Sequence, residues 1–379
     1  MKVLIHDLST EEWDKVKDQY SDYKVISDNG KIKSCVGCFG CWVKEPGRCV
    51  IKDSYENMPE TLAHSEEVLI ISRYTWGGFS SFVKNVLDRS IGYVLPFIHT
   101  KDDESHHGKR YEEPLNINVI FYGENITEKD KKDSQRYVKA VCANLHANLN
   151  KIEYQEGKSL IAEPSTEADS DGIVLLNCSY RGEKSNSNEF LNKVIELGGK
   201  PMEKYNLVSY EHKMDELISI LKKAKTIVFA MPLYVDGVPS RVVKLMEELY
   251  KVDKGSHKNI YAMANMGFYE CKQIVNLLTI VNNWATACGY KYCGGLAIGA
   301  GEMTGMMINK IPTGKGPVKD IGKSLKLFSG AIANSQTIGD LYSDANIISR
   351  SLFNRIANSR WKKQVKNNGL EANDIYRKF

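Results

Sequence analysis

Two stretches of the chain place chemically capable residue types at close spacing. In the first, LLNCSYRGEKSNSNEFLNKVIE at residues 175–196, an apolar run turns through hydroxyl, amide and basic residues into a helix. A helix N-terminus offers unpaired N–H groups and a partial positive charge. Around it Ser179, Ser185 and Ser187 add hydroxyl donors, Asn186 an amide, and Arg181 and Lys184 charge. The stretch lacks the glycine-rich spacing of a nucleotide or dinucleotide loop, so the anion it suits is a single phosphomonoester rather than a pyrophosphate. The same residues also have a plain structural use, with Ser187 or Asn188 serving as an N-cap.

The second stretch, CVGCFGCWVKEPGRC at residues 35–49, spaces Cys35, Cys38, Cys41 and Cys49 as C-x2-C-x2-C-x7-C. The chain has nine cysteines, an odd number, with four of them in this one segment, which is not the pattern of a secreted disulfide framework. A metal, redox chemistry and the packing of small apolar thiols all remain open for it. Zinc is the least favoured metal, because structural zinc sites usually come as two separated pairs. His106, His107 and Arg110 lie in a polar excursion, HTKDDESHHGKRY at 99–111, that reads as a solvated loop. Cys142, Cys271, Cys288 and Cys293 read as buried, inert thiols.

The elements that must position these residues alternate. Strands are expected at 2–6, 24–26, 68–72 and 116–122, with helices from Thr10, at 55–64, at 80–90 and at 129–148. Periodicity then lapses in EGKSLIAEPSTEADSDG, read as an interdomain linker at 156–171. The alternation restarts with strands at 173–178, 205–208, 226–231, 259–264 and 292–298, and helices from Asn188, at 213–223, 240–251 and 272–288. Repeated β-α-β implies parallel sheets covered on both faces. Five strands alternating with helices in the second half, and the similar alternation in the first, imply an α/β fold of two tandem flavodoxin-like doubly wound parallel sheets, each with strand order 2-1-3-4-5. The domains are expected at 1–155 and 172–345, followed by a basic tail at 346–379. SRYTWGGFSSFVKNVLDR and AMPLYVDGVPSRVVKLMEEL occupy corresponding places in the two halves.

Composition sets outer limits. The 379 residues are 42% hydrophobic and 26% charged, which excludes global disorder, collagen and coiled coil. No uncharged apolar run reaches the roughly 18 residues of a membrane span, and MKVLIHDL meets Asp7 before a signal-peptide core can form, so a cytoplasmic location is expected. The net charge of +4 is local: residues 349–379 hold eight Lys/Arg and two Asp/Glu, leaving −2 on the rest. With no nucleic-acid motif present, no nucleic-acid partner is expected, and no membrane association.

Cys178-Ser179-Tyr180-Arg181 followed by Lys184-Ser185-Asn186-Ser187 resembles the phosphate loop of NADPH-dependent FMN reductases. Pro232-Leu233-Tyr234-Val235 with Gly237 is similar to their second flavin loop, and Asn265-Met266-Gly267-Phe268 to the third. The three follow strands one, three and four of the C-terminal half, where ligands of such sheets sit. The family pattern differs here at Cys178, Tyr180 and Asp236. The resemblance implies noncovalent FMN, its phosphate on residues 179–187. Amides of residues 233–237 would then donate to flavin N5 or O4, the Gly267 region would meet the pyrimidine edge, and Leu233, Tyr234 and Phe268 would pack on the ring. NAD(P)H would be the reductant, with a quinone, nitro compound, flavin or redox protein as acceptor, and no catalytic acid or base is needed because hydride passes directly to the flavin.

The N-terminal half runs from its first strand into Asp7, Glu11 and Glu12, which would repel phosphate, so it is expected to lack a phosphate site; its Tyr74-Thr75-Trp76-Gly77-Gly78 loop resembles the family's second flavin segment, which implies that this half faces the flavin of the other. Its cysteine spacing resembles that of iron-sulfur flavoproteins, whose four thiolates hold a 4Fe-4S cluster. Similar loops in related flavin reductases hold none, so an electron-transfer iron-sulfur flavoprotein stands as the alternative function. A nonenzymatic redox or metal sensor stands as a third. Pairing of the two halves as a pseudo-dimer, or of two chains as a homodimer, is the expected assembly.

Overall fold

The computed structural model describes residues 1–165, 172–345 and 348–379. These group into two compact units, one of Met1–Ser159 with Asn354–Phe379, the other of Leu160–Phe353. Residues 166–171 of the expected linker and 346–347 of the expected tail lie outside the described residues.

In the first unit the chain runs β1 (Lys2–His6), α1 (Thr10–Val16), β2 (Tyr23–Ser27), α2 (Gly40–Val43), α3 (Met58–Ala63), β3 (Glu67–Arg73) and α4 (Ser81–Arg89). It continues through β4 (Val94–Lys101), β5 (Glu104–Lys109), β6 (Leu115–Tyr122), α5 (Glu128–Asn144) and β7 (Ala147–Gln155). The parallel sheet has the order β2-β1-β3-β6-β7, the doubly wound order 2-1-3-4-5 with a hairpin inserted. Its central strand, EVLIISR, is buried over five consecutive residues, as a strand covered on both faces must be.

Three local readings are corrected in this unit. The helix expected to reach residue 148 stops at Asn144, because His146 adopts a left-handed φ of 53° and releases the chain into β7, the fifth strand. The polar excursion is not a solvated loop but the antiparallel hairpin β4–β5, turned by Asp102 and Asp103 at φ 51° and 60°. His106 and Arg110 are buried within it. The basic tail likewise is no separate tail: Asn354–Phe379 belongs to the first unit. Asn358 makes paired hydrogen bonds with the backbone of Ile98 (2.7 and 2.8 Å), and Arg110 Nη1 donates to the carbonyls of Ile375 and Arg377 (both 2.8 Å). Trp361 packs edge-on against Phe39 and Trp42, so the apolar residues anchor this segment whatever its surface charge.

The second unit runs β8 (Ile173–Asn177), α6 (Asn186–Gly198), β9 (Glu203–Asn206), α7 (Met214–Lys223), β10 (Thr226–Pro232), α8 (Ser240–Asp253), β11 (Asn259–Asn265), α9 (Val275–Cys288) and β12 (Lys291–Ile298). There follow α10 (Gly301–Ile308), α11 (Lys319–Ala333), β13 (Leu341–Ser343) and α12 (Arg350–Asn367), the last continuing into the first unit's residues. The sheet order is β13-β12-β11-β10-β8-β9, all parallel: the expected 2-1-3-4-5 with a sixth strand, β13, added beyond β12. Phe190, Leu191 and Val194 of α6 pack with Leu325, Phe328 and Ile332 of α11 over the sheet. Gly199, left-handed at φ 63°, ends α6. Among the described residues no helix is long and apolar enough to cross a membrane.

Candidate functional site

The turn between β8 and α6 is built around Asn177, which is fully buried. Its Nδ2 donates to the carbonyl of Gly182 and to Asn206 Oδ1 (both 2.8 Å), and its Oδ1 accepts from the Ser179 amide at 3.2 Å and the Ser185 hydroxyl at 3.3 Å. Ser185 is the N-cap: its oxygen accepts from the Asn188 amide (3.1 Å), while its one proton lies mainly toward the Gly182 carbonyl (2.7 Å), with Asn177 Oδ1 the longer second acceptor. The helix thus begins at Asn186, two residues before the expected start, and capping falls to neither Ser187 nor Asn188. Ser187 Oγ accepts from Asn265 Nδ2 at 2.8 Å, an arrangement that leaves the hydroxyl proton for a ligand. Ser179 and Ser187 are buried, Arg181 is exposed, and Asn186 lies against α10, where a Cβ on Gly305 would fall 2.5 Å from its Oδ1.

The turn after β10 is a tight reversal. Tyr234 and Gly237 exchange backbone hydrogen bonds (3.2 and 2.9 Å) across Val235 and Asp236, both left-handed at φ 38° and 57°. Two positive φ values at the centre are the signature of a type I′ turn, which asparagine and glycine fill more readily than valine. The Leu233 amide is bound to the Asn265 carbonyl (2.9 Å). The amides of Leu233, Tyr234 and Gly237 are therefore engaged by the protein's own backbone, which takes three of the expected flavin donors. Pro232, Leu233, Tyr234 and Val235 are half-buried.

After β11, Gly267 is exposed, and a Cβ there would meet no heavy atom within 4 Å, which leaves an open face beside this backbone. Phe268 is buried, its carbonyl accepting from the Ala300 amide, so the ring is a core residue rather than a rim aromatic. Asn265 ties the three turns together: its side chain reaches Ser187 and the Met231 carbonyl (3.3 Å), and its backbone carbonyl holds Leu233. The expected site residues thus converge on one carboxyl edge of the second sheet. A flavin phosphate fits the donors there: the Ser179 and Ser187 hydroxyls, a long helix N-terminus, and the buried guanidinium of Arg241, whose Nη1 makes no hydrogen bond. Sequence reasoning missed Arg241, Asn177 and the close approach of α10. A lone arginine in the first turn of an otherwise apolar helix face was the available signal.

The first unit closes the equivalent place. Asp7, directly after β1, accepts from the Arg73 amide (3.0 and 3.1 Å) and the Tyr122 hydroxyl (3.0 Å), and burial pushes its carboxyl up. Ser9 and Glu12 cap α1 reciprocally. His6, buried and stacked on Trp13 at 4.3 Å, is lowered to about 4 by desolvation.

Among the described residues no group of three or more His, Cys, Asp or Glu side chains is placed to hold a metal ion, so the 4Fe-4S expectation for Cys35, Cys38, Cys41 and Cys49 receives no support. Cys38 is exposed and Cys35 half-buried, while Cys41 and Cys49 are buried. Burial, with Asp88 nearby, pushes Cys35 up to about 12, and burial raises Cys41 too. The loop rests on a polar face of α4. Arg89, fully buried, binds Asp53 (2.8 and 2.9 Å), the carbonyls of Lys33 and Ile51, and Cys49 Sγ (3.1 Å), and Asn85 Oδ1 accepts from the Cys35 amide. The segment is a packed, arginine-pinned loop.

No family model matches the chain, and no curated protein matches it. Among solved structures it is similar to the Trp repressor binding protein from Bacillus subtilis, at 16% identity and a TM-score of 0.26 over 33% of this chain and 81% of that one. A flavone reductase matches at 13% identity and TM-score 0.33 (44% and 66%), and an NAD(P)H:quinone oxidoreductase from Methanothermobacter marburgensis at 11% and 0.28 (43% and 98%). Likeness at this level carries no argument about function, and the fold assignment stands on strand order and register.

Proposed function

We propose that the chain is an FMN-dependent NAD(P)H oxidoreductase whose C-terminal unit holds the flavin. The supporting observation is the joining of three strand-end turns by Asn265, which aligns the Ser187 hydroxyl with the open backbone at Gly267 on one sheet edge. Bound FMN would supply a hydride acceptor for NAD(P)H and a donor to a quinone, nitro compound, free flavin or redox protein. The chain's residues do the positioning. Ser179, Ser187 and the α6 N-terminus bind the phosphate; the Val235–Asp236 turn, held in its strained geometry by the Tyr234–Gly237 pairing, presents backbone dipoles to the ring system. Leu233 and Tyr234, half-buried, supply apolar walls. A cytoplasmic location, where nicotinamide cofactors are abundant, accords with this reading.

Flavin binding is tested by fluorescence quenching and by the visible spectrum after reconstitution, and turnover by NAD(P)H oxidation with a quinone. Ser187→Ala should weaken FMN binding about tenfold, the loss of one charge-assisted hydrogen bond. Wild-type protein that neither binds FMN nor oxidises NAD(P)H sinks the reading.

A further inference from the structure

Arg241 stands in the first turn of α8 with its side chain 6% exposed. Nη2 donates to the Leu207 carbonyl at 3.2 Å, and Nη1 makes no hydrogen bond. The nearest carboxylate oxygen, Glu211 Oε1, is 3.7 Å away on a half-exposed side chain. The guanidinium carbon lies 4.8 Å from the ring centroid of Tyr180, in the turn between β8 and α6. Its charge also reaches Cys178, the first residue of that turn, where it opposes the upward push of burial on the thiol. A desolvated cation with one carbonyl and one distant carboxylate is poorly compensated, and the N-terminus of α6 adds further positive potential to the same turn.

The two units supply an internal control. Thr75 pairs with Gly78 and Tyr234 with Gly237 in equivalent turns, and the helices that follow begin at Ser81 and Ser240. Arg241 therefore corresponds to Phe82, which is buried and packs on Tyr55 at 6.0 Å. Cys178 corresponds to Asp7, since each directly follows strand one and donates its amide to strand three, at Ala230 and Ile71. Where the first unit carries a carboxylate and a phenyl ring, the second carries a neutral thiol and a guanidinium. The change at both positions favours an anion.

We infer that Arg241, from the helix after strand three, is the cation that neutralises the flavin phosphomonoester bound on the β8–α6 turn, acting beneath Tyr180. This rests on the flavin reading above and assigns to a buried residue a charge role that the sequence had placed on exposed Arg181.

The test compares dissociation constants of the full-length apoprotein for FMN and for riboflavin, which differ only in the phosphate. Arg241→Gln keeps a donor for the Leu207 carbonyl and removes the charge; it should weaken FMN roughly 10- to 100-fold and leave riboflavin within about twofold. Arg241→Lys keeps the charge and most of the packing, and should recover part of the FMN affinity. Should Arg241→Gln fail to fold by circular dichroism, the Arg241→Lys protein and the salt dependence of FMN against riboflavin binding carry the same comparison. Equal losses for both flavins would make Arg241 a structural clamp and overturn the inference. So would unchanged FMN binding, or a shift confined to NADPH over NADH. A wild type that binds FMN no tighter than riboflavin also overturns it while leaving the flavin reading intact. A wild type that binds neither flavin instead removes the functional reading itself.

Discussion

After β1 the chain needs three residues, Asp7, Leu8 and Ser9, to enter α1; after β8 it takes eight, residues 178–185, to enter α6. The short turn is filled from within, its Asp7 carboxylate bound by Arg73 and Tyr122 and its helix end sealed by Ser9 and Glu12. In the long turn Asn177 and Ser185 satisfy the backbone, which frees the hydroxyls of Ser179 and Ser187 to line the rim. The same strand order therefore supports a short strand-one turn filled by its own carboxylate in one unit and a longer, hydroxyl-lined turn in the other. Turn length and two exchanged side chains, Asp7 against Cys178 and Phe82 against Arg241, make the difference, and sheet topology does not, as expected where function lives in loops grafted on a shared scaffold.

Transplanting the closed state is the most direct way to break that contrast. Cys178→Asp puts the first unit's carboxylate beside the proposed phosphate, and should lower FMN affinity about a hundredfold, equivalent to about 2.7 kcal/mol. Fluorescence titration alongside a melting curve checks it, and undiminished binding by a folded variant would show that the charge at this position does not decide between the two turns.

Acid should separate the units next. His6 is neutral in the fold because burial lowers it to about 4, below its ordinary value near 6.5. The unfolded chain then binds the proton first, so His6's contribution is intact above about pH 6.5 and declines as pH falls toward 4. At pH 5 the first unit should have lost about 2 kcal/mol through this group, at 1.36 kcal/mol per pH unit. His107, lowered to about 4 by burial, adds in the same direction. The histidines of the second unit, His212 and His257, are exposed. Hydrogen exchange at pH 7 and pH 5, resolved by segment, reads the two units separately, and equal losses in both would contradict the assignment. His6→Phe should flatten the first unit's pH dependence.

The smallest expected effect lies in the paired type I′ turns. The first unit places Trp76 and Gly77 at the two left-handed positions, the second Val235 and Asp236. Val235→Gly should raise the stability of the second unit by about 1 kcal/mol, strain relief exceeding the entropy of the added glycine. A lowered melting temperature would mean that the valine side chain contributes more by packing than its backbone costs.

Much of this architecture is legible in the residue order. TIVFAMP and EVLIISR are continuous apolar runs because a parallel strand covered by helices on both faces has no wet side, and the alternation of such runs with amphipathic segments dictates the doubly wound sheets. The hydroxyl-rich turn before α6 and the acidic start after β1 are likewise local signals, since each lies within a few residues of a helix start. The misreadings have a common cause in distance along the chain. The tail at Asn354–Phe379 looks like a charged surface until Trp361 finds Phe39 and Trp42, about three hundred residues away in sequence. β7 and β13 are edge strands, half-exposed and weakly patterned, and pairing with a neighbour makes them strands.

The site divides the same way. Residue order alone established two α/β units, placed three candidate turns on one sheet edge, and marked one strand-one turn as hospitable to an anion and the other as hostile. Tertiary structure decided which hydroxyl caps the helix and which is left to donate, made Asn265 the link among the turns, and buried Arg241 under Tyr180. Those assignments depend on which partners meet across the fold, and hydrogen-bond competition and desolvation come into being only when distant segments pack.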